Sequence, residues 1–126
     1  MARILIAEDE EGLRNMIHRA LAEAGHEVVT AADGGEALDL LTRARGQFEL
    51  LLADIKMPVM DGIALALAAA RDYPDLAILL MTGYADQRER AYGLDALIQD
   101  VIAKPFTLAE IRAAVACALV AAKGRS

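Results

Sequence analysis

Residues 50–62 read Leu-Leu-Leu-Ala-Asp-Ile-Lys-Met-Pro-Val-Met-Asp-Gly, and this stretch decides the fold. A run of consecutive apolar residues is typical of a strand that is buried on both faces of a parallel sheet. The run ends in Asp54, and an ionised carboxylate at that place needs a cation or hydrogen-bond donors nearby. Asp54 is therefore the first candidate for a functional residue.

Three other apolar runs, at residues 4–7, 77–81 and 101–103, also end in polar or turn-forming residues. In chain order these residues are Glu8 and Asp9, Thr82 and Gly83, and Lys104 and Pro105. The carboxyl ends of parallel strands meet at one edge of a sheet, where ligands collect. Together with Asp54, this edge should therefore carry three carboxylates, one hydroxyl and one ammonium group. The pattern predicts an acidic pocket that suits a metal ion, with a lysine beside it.

Length and composition limit the function classes. The 126 residues are enough for about one domain, and 56% of them are hydrophobic, which is ample for a core. A formal net charge of −6 argues against direct binding of nucleic acid, since such proteins usually carry a basic stripe. No apolar run approaches the roughly 18 residues of a membrane helix, and the first residues do not resemble a signal peptide. The single Cys117 cannot form an internal disulfide, so we expect a cytoplasmic protein that contacts neither membrane nor nucleic acid.

Short apolar runs alternate along the chain with segments of helical period, which predicts a doubly wound α/β domain. We expect a three-layer αβα sandwich with a five-stranded parallel sheet over residues 1–122, then a short tail at 123–126 and no output domain. Periodicity leaves two strand orders open. The fourth helical segment, near residues 85–92, is the weakest, and the last helix should begin at a capping box made by Thr107 and Glu110.

Burial can also be predicted at particular positions. The third helix is expected to pack through an apolar stripe that consists of Ile63, Ala66, Leu67 and Ala70. His18 and His26 are expected to be exposed, and neither fits a metal ligand or a phosphodonor. The outward positions of the last helix form a smooth apolar strip, a candidate partner surface, that consists of Ala109, Ala113, Ala116, Cys117 and Val120.

The predicted pocket suits phosphoryl chemistry. A carboxylate such as Asp54 can attack phosphorus when the charge on the phosphoryl oxygens is neutralised. Mg²⁺ is the natural counter-charge, because it binds a few carboxylates and keeps water and substrate oxygens around it. Asp9 and Asp54 are the expected direct ligands, with Glu8 holding a metal-bound water. Lys104 and Thr82 would then contact the phosphoryl oxygens.

Over nearly its whole length the chain resembles the receiver domain of two-component response regulators. The motifs that carry the resemblance are Glu8-Asp9, Asp54 to Gly62, Thr82-Gly83 and Lys104-Pro105-Phe106. The resemblance implies the flavodoxin-like strand order 2-1-3-4-5 and Mg²⁺-assisted phosphoryl transfer to Asp54 from a histidine kinase or a histidine phosphotransfer protein. It also implies a third metal ligand, the backbone carbonyl of Lys56, and a cis Lys104-Pro105 peptide. Such a protein is not an enzyme beyond Mg²⁺-dependent self-phosphorylation and slow self-dephosphorylation at Asp54.

One position departs from the family. The residue three before Lys104 is usually an aromatic that turns inward when the threonine moves, and here it is Val101. The usual coupling is therefore in question, and Tyr84 or Tyr92 is the candidate substitute. Tyr84, two residues after Thr82, is also expected to shield the phosphoryl group and to slow its loss.

The resemblance implies a stand-alone regulator that signals by phosphorylation-dependent binding to a downstream protein, with a protease or an adaptor among the candidates and a phosphorylation-dependent dimer as a further outcome. Its sequence is similar to regulators that govern regulated proteolysis in the bacterial cell cycle. A phosphatase of the aspartyl-phosphate class is disfavoured, because its second aspartate would stand where Lys56 is. A constitutive, unphosphorylated binding module remains the alternative, because Val101 weakens the switch.

Overall fold

The computed structural model describes residues 1–83, 91 and 93–123, and its centre is a five-stranded parallel sheet. The strands are β1 (Arg3–Ala7), β2 (Glu27–Ala31), β3 (Leu50–Asp54), β4 (Ala77–Thr82) and β5 (Asp100–Ala103). Their order in the sheet is β2-β1-β3-β4-β5, and every neighbouring pair is parallel. The predicted sheet and the order implied by the resemblance are both confirmed.

Four helices lie within the described residues: α1 (Glu11–Glu23), α2 (Gly34–Arg43), α3 (Gly62–Asp72) and α4 (Leu108–Lys123). None of these is long and apolar enough to cross a membrane. Tyr84, Tyr92 and most of the weak helical segment predicted near residues 85–92 lie outside the described residues, as do residues 124–126 of the predicted tail.

The apolar run at residues 50–53 packs on both faces of the sheet. Leu51 and Ala53 belong to a buried cluster with residues of α2 and α3, whereas Leu50 and Leu52 belong to a second cluster with residues of α1 and α4. Successive side chains of a strand point to opposite faces, so a strand covered on both sides must be apolar at every position. All five residues of β3 are buried, and each fully buried leucine stabilises the fold by about 1.5–3 kcal/mol.

Polar side chains fix where three of the helices begin. Asp33 and Asp61 each accept a backbone N–H bond of 2.8 Å at the start of α2 and α3. At the start of α4, Glu110 N donates to the Thr107 hydroxyl and Thr107 N donates to the Glu110 carboxylate, both at 3.0 Å. The predicted capping box is confirmed, and each such cap stabilises the fold by about 1 kcal/mol.

The predicted stripe of the third helix is wrong at its centre. Leu65, Ala66 and Ala69 are buried, whereas Leu67 is 46% exposed. The side chains of α3 itself are apolar on nearly all of its faces, so the sequence pattern does not indicate which face packs against the sheet.

His18 is exposed as predicted, but the prediction for His26 is wrong. His26 is half-buried, and its Nδ1 accepts a 3.1 Å hydrogen bond from the backbone N–H of Ala2. This contact links the start of β1 to the turn before β2.

Candidate functional site

The carboxyl ends of four strands bring the predicted site residues together. Glu8 and Asp9 follow β1, Asp54 and Thr82 end β3 and β4, and Lys104 follows β5. A pocket of about 550 Å³ opens at this edge of the sheet. Its lining consists of Asp9, Glu10, Asp54, Lys56, Gly83, Lys104 and Pro105.

Lys104 binds two buried carboxylates. Its Nζ donates to Asp54 Oδ2 at 2.8 Å and to Glu8 Oε1 at 2.9 Å. Glu8 is fully buried and Asp54 is 6% exposed. Partial burial by itself lowers the pKa of Lys104, but the hydrogen bonds to Asp54 and Glu8 outweigh it, so the pKa is raised above its ordinary value. The ammonium therefore stays charged across the neutral range.

Glu8 is the most strongly perturbed acid of the site. Its pKa is raised from 4.5 to about 7, first by burial and then by the hydrogen bond and the charge of the Asp54 carboxyl group, while Lys104 opposes both. Its Oε2 atom is buried and has no hydrogen-bond partner among the described residues. A buried acceptor without a partner is costly, so this oxygen atom of Glu8 would be stabilised by a hydrogen-bond donor or a cation.

The donor set fits a divalent cation. One carboxylate oxygen from each of Glu8, Asp9 and Asp54 lies within 4.8 Å of the others. Carboxylate oxygens are the ligands that Mg²⁺ prefers, and the open side of the pocket leaves room for the waters that it retains. The cluster could therefore hold a metal ion, with Lys56 on the lining of the same pocket.

Thr82 and the Lys104-Pro105 peptide lie where the sequence placed them. Thr82 is 2% exposed, and its carbonyl accepts a 2.7 Å hydrogen bond from the backbone N–H of Lys104. The Lys104-Pro105 peptide is cis, as the resemblance implied. Next to Thr82, a Cβ atom on Gly83 would meet no heavy atom of the described residues within 4 Å.

Two glycines hold the loop between β3 and α3 against the rest of the site. A Cβ atom on Gly62 would lie 2.2 Å from the Asp54 carbonyl oxygen, and one on Gly34 would lie 2.1 Å from the Met60 carbonyl oxygen. Gly62 N also donates to Ile55 O at 2.8 Å. Only glycine allows these close approaches, which fix the backbone at Asp54 and in the loop that follows it.

Arg14 also contacts the site, although the sequence pattern does not point to it. Its Nη1 donates to the backbone carbonyl of Glu8 at 3.0 Å and so helps to hold the Glu8 backbone in place. No signal in the sequence distinguishes this arginine from an ordinary solvated residue of α1, because the contact depends on how α1 packs beside β1.

Val101 is buried beside the site. It is 8% exposed, lies opposite Leu80 in the sheet, and belongs to the same apolar cluster as Leu80.

On α4, the five residues of the predicted strip are all exposed, and Val120 is 71% exposed. The proposed roles of Tyr84 and Tyr92 stay predictions, because both residues lie outside the described part of the chain.

The sequence matches a known family and known proteins. The family described as the response regulator receiver domain matches residues 4–116. Response regulator MprA of Mycobacterium sp. (strain KMS) is 37% identical over 111 residues, which is 88% of this chain and 47% of that protein. MprA of Mycobacterium avium (strain 104) has the same identity, with 48% of its length covered. The chain therefore spans about half the length of these curated relatives.

Solved structures agree with the sequence matches. A receiver domain protein from Clostridium thermocellum superposes with a TM-score of 0.90 at 25% identity, covering 100% of both chains. CheY4 of Vibrio cholerae gives 0.83 at 31% identity, over 94% of this chain and 98% of that one. TrrA from Thermotoga maritima, solved in complex with Mg²⁺ and BeF, gives 0.81 at 30% identity, over 94% and 99%.

Proposed function

This chain belongs to the response regulator receiver domain family, and from that premise we propose that Asp54 accepts a phosphoryl group from a phosphohistidine on a histidine kinase or histidine phosphotransfer protein. The observation that carries the proposal is the pairing of a buried Asp54 carboxylate with Lys104 at 2.8 Å, beside the carboxylates of Glu8 and Asp9. Such an arrangement surrounds a nucleophilic carboxylate with the groups that phosphoryl transfer needs.

The transfer is one exchange of bonds. An Asp54 carboxylate oxygen attacks phosphorus, the phosphorus–nitrogen bond of the phosphohistidine breaks, and its electron pair returns to the imidazole. Negative charge stays on the three outer oxygens, and Lys104 is close enough to pair with one of them. Thr82, buried at the end of β4, would donate its hydroxyl hydrogen to another.

We assign the metal site to Glu8, Asp9, Asp54 and the backbone carbonyl of Lys56, with Mg²⁺ as the cofactor. When bound, Mg²⁺ supplies the remaining counter-charge for the transferred group. The close spacing of the three carboxylates and the unpartnered Oε2 of Glu8 support this assignment. The Mg²⁺ and BeF in the similar TrrA structure support it by analogy.

Phosphorylation of Asp54 is then proposed to change how the chain binds another protein, and this binding transmits the signal. The proposed location is the cytoplasm, where the free Cys117 would stay reduced. Self-dephosphorylation is proposed to be slow, so the protein is a switch and not a turnover enzyme. A protease, an adaptor or a second copy of the chain is the proposed partner class.

A second candidate is a constitutive binding module that keeps the fold and uses no phosphorylation. Val101 favours it, because this buried valine replaces the aromatic ring that the family's switch uses. The intact set of Asp54, Lys104 and Thr82 favours the first candidate, since a constitutive module has no need for a buried, electrostatically costly cluster.

Intact-mass measurement separates the two candidates. The wild type is incubated with Mg²⁺ and acetyl phosphate beside Asp54→Asn and a matched control, Asp39→Asn, whose aspartate pairs with Arg43 on the surface of α2. We expect a single phosphoryl adduct on the wild type and on Asp39→Asn, and none on Asp54→Asn. An unmodified wild-type mass under these conditions would favour the constitutive module.

A further inference from the structure

A second pocket, of about 750 Å³, opens at the edge of the sheet where the strands begin, which is the edge opposite the acceptor site. Phe48 and Leu76 line it; both are buried, and they lie shortly before β3 and directly before β4. Tyr73, which follows α3, and Leu119 and Ala122 of α4 complete the apolar part of the lining. A cavity of this size can hold a small molecule or a few side chains of a peptide.

The fold itself holds the walls of this pocket in place. A Cβ atom on Gly46 would overlap the Tyr73 ring, so only glycine lets the loop after α2 lie against that ring. Gly46 has a φ of 70°, and its N–H donates to the Leu41 carbonyl at 2.9 Å. The Phe48 ring is covered by Arg3, which does not line the pocket and whose guanidinium carbon lies 4.6 Å from the ring centroid. The apolar surface is therefore formed before any partner binds.

The rim of the pocket carries an excess of acidic groups. Glu49, Asp72 and Asp75 lie on it and are exposed, and Arg45 is the one cation among the described residues that line it. Asp72 is paired with Arg71, but the carboxylate of Asp75 makes no hydrogen bond or ion pair with the described residues. The helices α2 and α3 also end at this rim, and the C-terminus of a helix carries a partial negative charge. The rim therefore attracts a cation.

An apolar floor below an acidic rim is complementary to a basic side chain that stands beside an apolar one. The methylene stem of arginine or lysine packs on apolar surface while its charged head stays at the rim, near the acids. A guanidinium group can also lie over an aromatic ring, as Arg3 already does on Phe48. An acidic segment would be repelled by the rim, and a segment without apolar side chains would leave the floor uncovered.

We propose that this pocket is a docking site for a basic segment of a partner protein in which arginine or lysine alternates with large aliphatic residues. The site goes beyond the proposed phosphoryl transfer and does not rest on it. The strand Leu50–Asp54 separates the two sites, and at about 3.3 Å per residue they lie roughly 15 Å apart. A partner that is held here leaves the mouth of the acceptor pocket open, so the chain stays on its partner while Asp54 gains and loses a phosphoryl group.

The test uses acetylated hexapeptides and isothermal titration calorimetry. One peptide alternates leucine and arginine, a second has glutamate in place of arginine, and a third has serine in place of leucine. Ala122→Lys places a positive charge inside the pocket, whereas Val120→Lys places the same charge on the same helix, at an exposed position outside the lining. Both variants change the net charge equally, so a general attraction of the peptide to an acidic chain affects them equally.

We expect the wild type to bind the leucine–arginine peptide more tightly than either of the other two peptides. Ala122→Lys should weaken this binding at least about tenfold, because the new ammonium group fills the pocket and repels the guanidinium groups. Val120→Lys should stay within about twofold of the wild type. Asp75→Asn, which removes a free acid of the rim, should weaken binding about threefold. Asp54→Asn should bind the peptide as the wild type does, and Ala122→Lys should take up a phosphoryl group as the wild type does, so failure of one proposal is distinguishable from failure of the other.

Three outcomes overturn the inference. These are a wild type that binds none of the peptides, equal binding of the leucine–arginine and serine–arginine peptides, and equal weakening by Ala122→Lys and Val120→Lys. Circular dichroism establishes that each variant is folded. Should Ala122→Lys be unfolded, Asp75→Asn is compared with Glu11→Gln, which removes an exposed acid in the first turn of α1, outside the pocket lining. Equal peptide affinity in these two variants contradicts the docking site, and weaker binding by Asp75→Asn alone supports it.

Discussion

Replacing Gly62 by alanine should damage both the fold and the acceptor site. The new methyl group would lie 2.2 Å from the Asp54 carbonyl oxygen and 2.9 Å from the Asp54 carbonyl carbon and from Ile55 Cα. Ordinary contact begins at about 3.4 Å, so the backbone must move by more than 1 Å to admit it. All three neighbours are backbone atoms, and none can turn aside as a flexible side chain would.

The size of the effect follows from two opposing contributions. Overpacking of a close contact costs about 1–3 kcal/mol, and a backbone neighbour places this site at the upper end. Alanine favours a helix over glycine by at most about 1 kcal/mol. We therefore expect Gly62→Ala to lower the free energy of unfolding by about 2 kcal/mol, which for a chain of this length lowers Tm by roughly 8 °C.

Urea and thermal unfolding of Gly62→Ala measure this loss, and Gly12→Ala is the matched control. Gly12 also lies in the first turn of a helix, but its nearest neighbour to a Cβ atom is Glu10 Oε1 at 3.9 Å. The control should be neutral or more stable by up to about 1 kcal/mol. The folded fraction of Gly62→Ala should also take up less phosphoryl group from acetyl phosphate, because the Asp54 backbone has moved. Wild-type stability and wild-type adduct yield in Gly62→Ala would refute the reasoning.

Two further predictions concern local contacts. Thr107→Ala should lower the free energy of unfolding by about 1 kcal/mol in urea titrations, because it removes the hydroxyl that accepts from Glu110 N, and an unchanged midpoint would count against the capping box. Burial lowers the pKa of His26 from its ordinary 6.5, so as the pH falls the unfolded chain binds a proton before the folded chain does. The contribution of His26 to stability is therefore complete above about pH 6.5. This contribution is lost as the pH falls through the pKa of His26 in the folded chain. Thermal unfolding from pH 8 down to pH 5 should therefore show a shallower loss in His26→Asn than in the exposed-site control His18→Asn, and equal slopes would contradict the assignment.

The strands and the site edge could be predicted because both depend on local sequence. An apolar run with no polar interruption, as at Leu50–Asp54, has one good solution, a strand covered on both faces. The polar residues that end such strands then converge on one edge whatever the strand order. The strand order was implied only by the resemblance, because the periodicity of apolar residues does not determine which strands are neighbours.

The features that the sequence predicted wrongly or did not indicate have a common physical cause: each depends on tertiary contacts. Leu67 and Leu65 are equally apolar, so only packing against the sheet decides which is buried. The close approach at Gly62 and the contact of Arg14 with the Glu8 carbonyl likewise exist only after distant elements have packed. A glycine after an aspartate is read from sequence as a turn, and nothing local shows that a carbonyl oxygen lies against it.

The path from Asp54 to the protein surface is constrained by the same packing. Val101 lies opposite Leu80, two residues before Thr82, so it stands on the face of the sheet toward which Thr82 also points. Valine has a single, stiff side-chain torsion and no ring, and Val101 is only 8% exposed. A signal that passes through this position must therefore be a shift of packed strands and helices and not the rotation of a ring. Leu65 of α3 belongs to the same apolar cluster as Val101, so α3 is among the elements packed around this core.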